Sequence, residues 1–76
     1  MTLNELRPGR RAHVRTIGAG IDGLGTKLRE IGFSEGDEVE MVGAGPFGGR
    51  TLAVRLNRTL IAMRTDEARH IEVDPA

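Results

Sequence analysis

The sequence contains no cysteine, no tryptophan and no tyrosine, and only two phenylalanines among its 76 residues. Without cysteine there is no disulfide and no thiolate metal site, so a chain of this size must rest on one small apolar core. Two rings are too few for the aromatic platforms on which single-stranded nucleic acid stacks along a groove. No apolar run approaches the roughly 18 residues of a membrane-spanning helix. The N-terminus lacks the apolar segment of a signal peptide, so a cytoplasmic location is expected. Neither sign of charge is in excess: lysine plus arginine and aspartate plus glutamate number 11 each. That balance provides no whole-chain electrostatic footprint for DNA or an acidic membrane. No serine or lysine stands beside an evident base, so there is no activated nucleophile and an enzyme is not expected. Internal repeats and low-complexity segments are also missing, and one domain over residues 1–76 is expected.

What is abundant is glycine, with 11 residues, about twice the usual share. The glycines separate short apolar runs and read as turns of a small β domain. The organising stretch is Leu24 to Val42. Leu24, Leu28 and Ile31 fall at i, i+4 and i+7, which places them on the core face of a helix from about Asp22 to Ile31. Asp22 can cap it. Gly23 and Gly25 each cost up to about 1 kcal/mol of helix propensity, so a frayed first turn is expected. Gly32 follows the last apolar position, where a left-handed residue ends a helix, and Phe33 then folds back onto Leu28 in a Schellman ending. Ser34-Glu35-Gly36-Asp37 reads as a turn. Val39 and Met41 then alternate with Glu38 and Glu40, a half-buried strand.

The remaining segments are strand and turn. Thr2 with Glu5 three residues on has a capping-box pattern, followed by an Arg7-Pro8-Gly9-Arg10 turn. Ala12 and Val14 face one side of a first strand, His13 and Arg15 the other; Ile17 begins the exit, and Gly18-Ala19-Gly20 breaks the strand. Gly43 to Gly49 is a loop around Pro46. It lacks the following Lys-Ser/Thr and helix start of a phosphate-binding loop. Leu52, Val54 and Leu56 alternate inward, Asn57-Arg58 makes a tight hairpin connection, and Ile61 and Met63 continue the inward face. Thr65-Asp66-Glu67-Ala68 offers one helical turn, and Ile71 and Val73 a last strand. The expected core is Val14, Val39, Met41, Leu52, Val54, Leu56, Ile61, Met63 and Ile71. The predicted fold is mainly β: an SH3-like five-stranded barrel with one short α-helix inserted after the first strand.

Leu3…Leu6-x-Pro8-Gly9, Leu28-x-x-Ile31-Gly32-Phe33-x-x-Gly36, Val39…Pro46-Phe47-Gly48 and Ile61-Ala62-Met63-Arg64…Glu67-Ala68-x-x-Ile71-x-Val73 occur in this order. Together they resemble the FeoA family, small cytoplasmic proteins associated with the bacterial ferrous-iron transporter FeoB. The resemblance implies an SH3-like barrel that acts by contact with the cytoplasmic domain of FeoB to modulate Fe(II) uptake. It implies no catalysis, and a link to the membrane only through FeoB. The central loop departs from the family's usual Pro-Leu-Gly-Asp-Pro: here Pro46-Phe47-Gly48-Gly49-Arg50-Thr51 reads one residue longer, without the acid or the second proline. A related barrel closes iron-dependent repressors of the DtxR type. It supplies the alternative reading, an iron-sensing or other small-ligand, metal- or nucleic-acid-binding barrel. Because the chain has its own Met1 and no DNA-binding helices, a free-standing protein that does not bind nucleic acid is expected.

Candidate site residues follow from position. Leu24 at the helix start and Phe47 at the loop tip can serve either core or contact. Lys27 and Arg29 beside Leu24 can form a charged rim that steers a partner. Arg29, like Arg50 and Arg64, can be partner-facing, but a solvated surface charge is the favoured reading. His13 and His70 are the weak metal candidates, with Asp66, Glu67 and Glu72 as possible carboxylates. No spacing among them demands a metal, so no metal and no cofactor are expected.

Overall fold

In the computed structural model, which describes residues 1–18, 23–44 and 50–76, each period-two stretch becomes a strand. β1 spans Arg11–Ile17, β2 Glu38–Ala44, β3 Thr51–Leu56, β4 Thr59–Arg64 and β5 Ile71–Pro75. All neighbours are antiparallel, in the order β4-β3-β2-β1-β5. Helix α1, Leu24–Ile31, joins β1 to β2, and the one-turn helix α2, Thr65–Ala68, joins β4 to β5. A 3-10 turn over Leu3–Glu5 precedes the sheet, and its Glu5 carboxylate accepts the Thr2 N–H at 2.9 Å, the back-reaching half of a capping box.

The two edge strands contribute to the same core. Met63 of β4 and Ile71 and Val73 of β5 are buried in one cluster with Val14, Val39, Met41, Val54 and Leu56. A flat sheet would hold its edges apart, so this shared interior means that the sheet curls round it. Phe33, Leu3 and Leu28, all fully buried, fill the interior from outside the strands. Leu52 and Ile61 are half-buried and pack against its margin.

Two irregularities interrupt the pairing, and the first re-aims a side chain. The β1–β5 register shifts between Val14 and Thr16. A bulge inserts one residue and flips the alternation after it, so Ile17 joins Ala12 and Val14 inside, at 8% exposure, instead of beginning the exit. The strand continues through Ile17, and the irregularity precedes the Gly18 break. In β2 a second shift lies between Met41 and Gly43, and Val42, which the alternation of Val39 and Met41 already turns outward, is on the surface.

Helix α1 ends as its local chemistry dictates. Gly32 has φ +128°, its N–H donates to the Arg29 carbonyl at 3.1 Å, and the Phe33 N–H reaches the Leu28 carbonyl at 3.1 Å. These are the two bonds of a Schellman ending. One residue departs from the expected helix face: Ile31 is 43% exposed. The reversal at Gly32 brings Phe33 into the core at that end of the helix, and the space an inward Ile31 would need is already filled. At the other end Gly23 is the N-cap, and the expected Asp22 cap lies outside the described residues. The β3–β4 hairpin turns on Asn57, the only non-glycine residue with positive φ, at +55° among those described.

Candidate interaction surface

The sequence places Leu24, Lys27 and Arg29 on α1, and the structure fixes each in a different way. Leu24, the first helical residue, is half-buried and packs against the core, with part of its side chain open to solvent. Its neighbourhood is set by a close backbone approach. A Cβ on Gly18 would lie 2.5 Å from the Gly25 nitrogen, and one on Gly25 would lie 3.3 Å from the Ile17 carbonyl oxygen. The helix start therefore abuts the end of β1 more tightly than a side chain at position 18 would permit. Gly25, read from the sequence only as a cause of fraying, also lies at this contact, with little room for a side chain.

Lys27 and Arg29 are both exposed and both engaged. The Lys27 ammonium meets the Glu67 carboxylate at 2.6 Å and ties α1 to α2. Glu67 also accepts the Arg64 backbone N–H at 3.0 Å. The hydrogen bond from Lys27, then that from Arg64, holds its carboxyl below the ordinary range. Arg29 forms a two-pronged pair with Glu35 across the end of the helix, at 2.7 and 2.6 Å. That pair lowers the Glu35 carboxyl from 4.5 to about 2, chiefly through the Arg29 hydrogen bonds. Because the folded value lies below the unfolded one, the pair's stabilisation is present above about pH 4.5 and is lost as pH falls toward 2. An NMR titration should give Glu35 a midpoint near 2, and Arg29→Gln should return it to the ordinary carboxylate range. A midpoint indifferent to that substitution would remove the pair from the account.

Phe47 lies outside the described residues. Arg50 and Arg64 are exposed. His13 projects from the solvent-facing side of β1, in register with Glu38 on β2 and Asp74 on β5. His70 is half-buried between α2 and β5, where its carbonyl accepts the Gly18 N–H at 2.7 Å. The carboxylates considered beside the histidines face cations: Asp66 meets Arg69 at 3.8 Å, Glu67 meets Lys27, and Glu72 meets the N-terminal amine at 3.8 Å. Among the described residues no group of three or more histidine and carboxylate side chains is placed to hold a metal ion. No described helix is long and apolar enough to cross a membrane. Among the described residues the surface also carries four exposed large apolar side chains: Met1 at the terminus, and Ile31, Val42 and Leu60 at 43%, 42% and 59%. Val42 was legible as the outward neighbour of Met41. Leu60 was legible as the outward neighbour of Ile61.

A curled five-stranded antiparallel sheet, with a short helix after its first strand and a single helical turn before its last, defines an SH3-like barrel. The family model for the FeoA domain matches residues 1–75, and the chain belongs to that family. A Campylobacter jejuni protein provisionally named Fe(2+) transport protein A is 31% identical over 74 residues, 97% of each chain. The crystal structure of Stenotrophomonas maltophilia FeoA with zinc, described as a prokaryotic SH3 domain protein, is 41% identical, with a TM-score of 0.81 over 97% of this chain and 89% of that one. A manganese-dependent transcriptional repressor shares the fold alone, at 18% identity and a TM-score of 0.87; this chain covers 36% of it.

Proposed function

We propose that this chain is a single-domain cytoplasmic accessory protein of ferrous-iron transport, which binds the cytoplasmic domain of FeoB and modulates Fe(II) uptake without catalysing a reaction. The observation that carries this reading is the FeoA domain match over residues 1–75. Two relatives support it: the C. jejuni protein bears a transport name, and the S. maltophilia protein is described as a candidate activating factor of ferrous-iron transport. The docking surface in this reading is the start of α1. A few apolar anchors dominate binding energy, and rim charges steer the encounter. Leu24 is partly open to solvent, and Lys27 and Arg29 lie within the next two helical turns. Their pairing with Glu67 and Glu35 holds the helix in place, so the anchor is presented on a fixed element. Phe47, on the central loop, is the second proposed anchor.

The test is Fe(II) uptake in bacteria lacking their own FeoA and supplied with this chain together with its FeoB. Wild type should restore uptake. Leu24→Glu should restore far less while lowering the melting temperature only by about 4–8 °C, the effect of roughly 1 kcal/mol in a domain this small. Equal uptake with and without the wild-type chain would contradict the proposed function.

A further inference from the structure

The two edges of the sheet are finished differently. The outer edge of β5 is covered by the N-terminus: Thr2 bridges Glu72, the Val73 N–H donates to the Met1 carbonyl at 2.8 Å, and the Met1 amine reaches the Val73 carbonyl at 3.4 Å. On the open side of β4 the backbone bond from a described residue is the Arg64 N–H to the Glu67 carboxylate at 3.0 Å. That bond fixes the phase of the strand. Residues of an antiparallel strand alternately face toward and away from the paired neighbour. Arg64 faces away from β3, so Ala62 and Leu60 do too. The two-residue turn at Asn57-Arg58 gives the same phase, since such a turn is closed by a bonded pair, here Leu56 with Thr59. Leu60 and Ala62 therefore each aim an N–H and a C=O outward.

Natural edges are blunted by proline, inward charge, bulges or a covering element. Thr59-Leu60-Ile61-Ala62-Met63 has no proline and no charge, and its pairing with β3 runs without a register shift. Its exposed residues are Thr59 at the turn, then the apolar Leu60 at 59% and Ala62 beside it on the outer face. The ends are cationic. Arg58 stands at the turn, with Arg64 and Arg50 at the other end. None of the three has a carboxylate within salt-bridge distance among the described residues.

We propose that the open edge of β4 accepts an extended segment of another protein as a sixth strand, apolar at alternate positions and acidic at its ends. Backbone bonds to Leu60 and Ala62 supply the pairing, and the terminal arginines select the acids. The charges argue against a second copy of this chain as the occupant. The self-paired register that uses both outward residues sets Leu60 of each copy opposite Ala62 of the other. It then sets Arg58 opposite Arg64 at both ends, a like-charge contact that disfavours pairing. This inference rests on the reading of the chain as an interaction module, and not on α1 as the docking surface.

The test follows backbone amide exchange in the isotope-labelled full chain, titrated in separate samples with the FeoB cytoplasmic domain and with a synthetic Val/Thr strand peptide flanked by glutamates. Exchange at Leu60 and Ala62 should slow at least about tenfold on binding. Ala62→Pro removes an outward N–H and no β3 bond, so it should weaken binding at least about tenfold without unfolding the hairpin. Should that variant melt, Arg58→Glu on the exposed turn gives a second readout, with an expected loss of at least about threefold. Binding of FeoB with unchanged exchange at both amides overturns the strand-addition proposal and leaves the transport reading intact. Protection by the peptide without any binding of FeoB upholds the edge and overturns the transport reading. Binding of neither overturns both. Slowing that depends on protein concentration alone assigns the edge to a second copy and overturns the proposal.

Discussion

Gly18→Val is expected to be the most damaging single substitution in this chain, removing on the order of 3–5 kcal/mol from a domain whose total is only a few kcal/mol. Two separate effects add. Gly18 has φ +64°, a region in which a β-branched residue is strained by about 1–3 kcal/mol. The new Cβ would also lie 2.5 Å from the Gly25 nitrogen and 2.7 Å from its Cα. Both obstacles are backbone and cannot rotate away, so the helix start would have to separate from β1. Overpacking of this kind costs about 1–3 kcal/mol. Gly23→Ala is the control: φ is +78°, but nothing lies within 4 Å of the added Cβ, so only strain remains, about 1 kcal/mol. Urea unfolding should show Gly18→Val largely unfolded in buffer and Gly23→Ala modestly weakened. Equal losses in the two variants would mean that the close approach of α1 to β1 contributes nothing.

The second large effect is Phe33→Ala, expected to cost about 3–5 kcal/mol. Phe33 is fully buried and one of only two aromatic rings in the chain. It reaches the interior through the bond from its own N–H to the Leu28 carbonyl, so its removal opens a cavity beside the helix that the small core cannot refill. Ile31→Ala, two residues earlier, should cost less than about 0.5 kcal/mol, since its side chain is largely on the surface. Chemical denaturation of the pair decides between the two readings of the helix end. Similar losses would return Ile31 to the core face that its spacing suggests.

That contrast marks where the sequence is legible. The Gly32-Phe33 ending, the positive φ at Asn57 and the inward alternation of Val39, Met41, Val54 and Met63 all follow from chemistry within a few residues, and the structure contains them. Features that depend on two distant segments do not announce themselves. The bulge at Val14–Thr16 exists only in register with β5, so its reversal of Ile17 could not be read from β1 alone. Lys27 and Glu67 are 40 residues apart, and nothing near Lys27 identifies its partner. Gly18 and Gly25 read as breakers of local structure, whereas Gly18 faces the backbone of Leu24 and Gly25, and Gly25 faces the Ile17 carbonyl. Periodicity also misassigned Ile31, because a helix of only 8 residues can hand its last core position to the residue that follows its cap.

Of the candidate docking residues, Leu24 carries the most direct test of the proposed function. The measurement is calorimetric titration of purified FeoB cytoplasmic domain with the wild-type chain and with Leu24→Glu, each variant's folded fraction being fixed by its thermal unfolding. Saturable one-to-one binding by the wild type is expected, with a loss of at least about tenfold in affinity for Leu24→Glu in excess of its loss of folded protein, since the substitution places a carboxylate at an apolar anchor. Absence of binding by the folded wild-type chain, even to full-length FeoB in a membrane mimetic, would contradict the proposal that this protein binds FeoB.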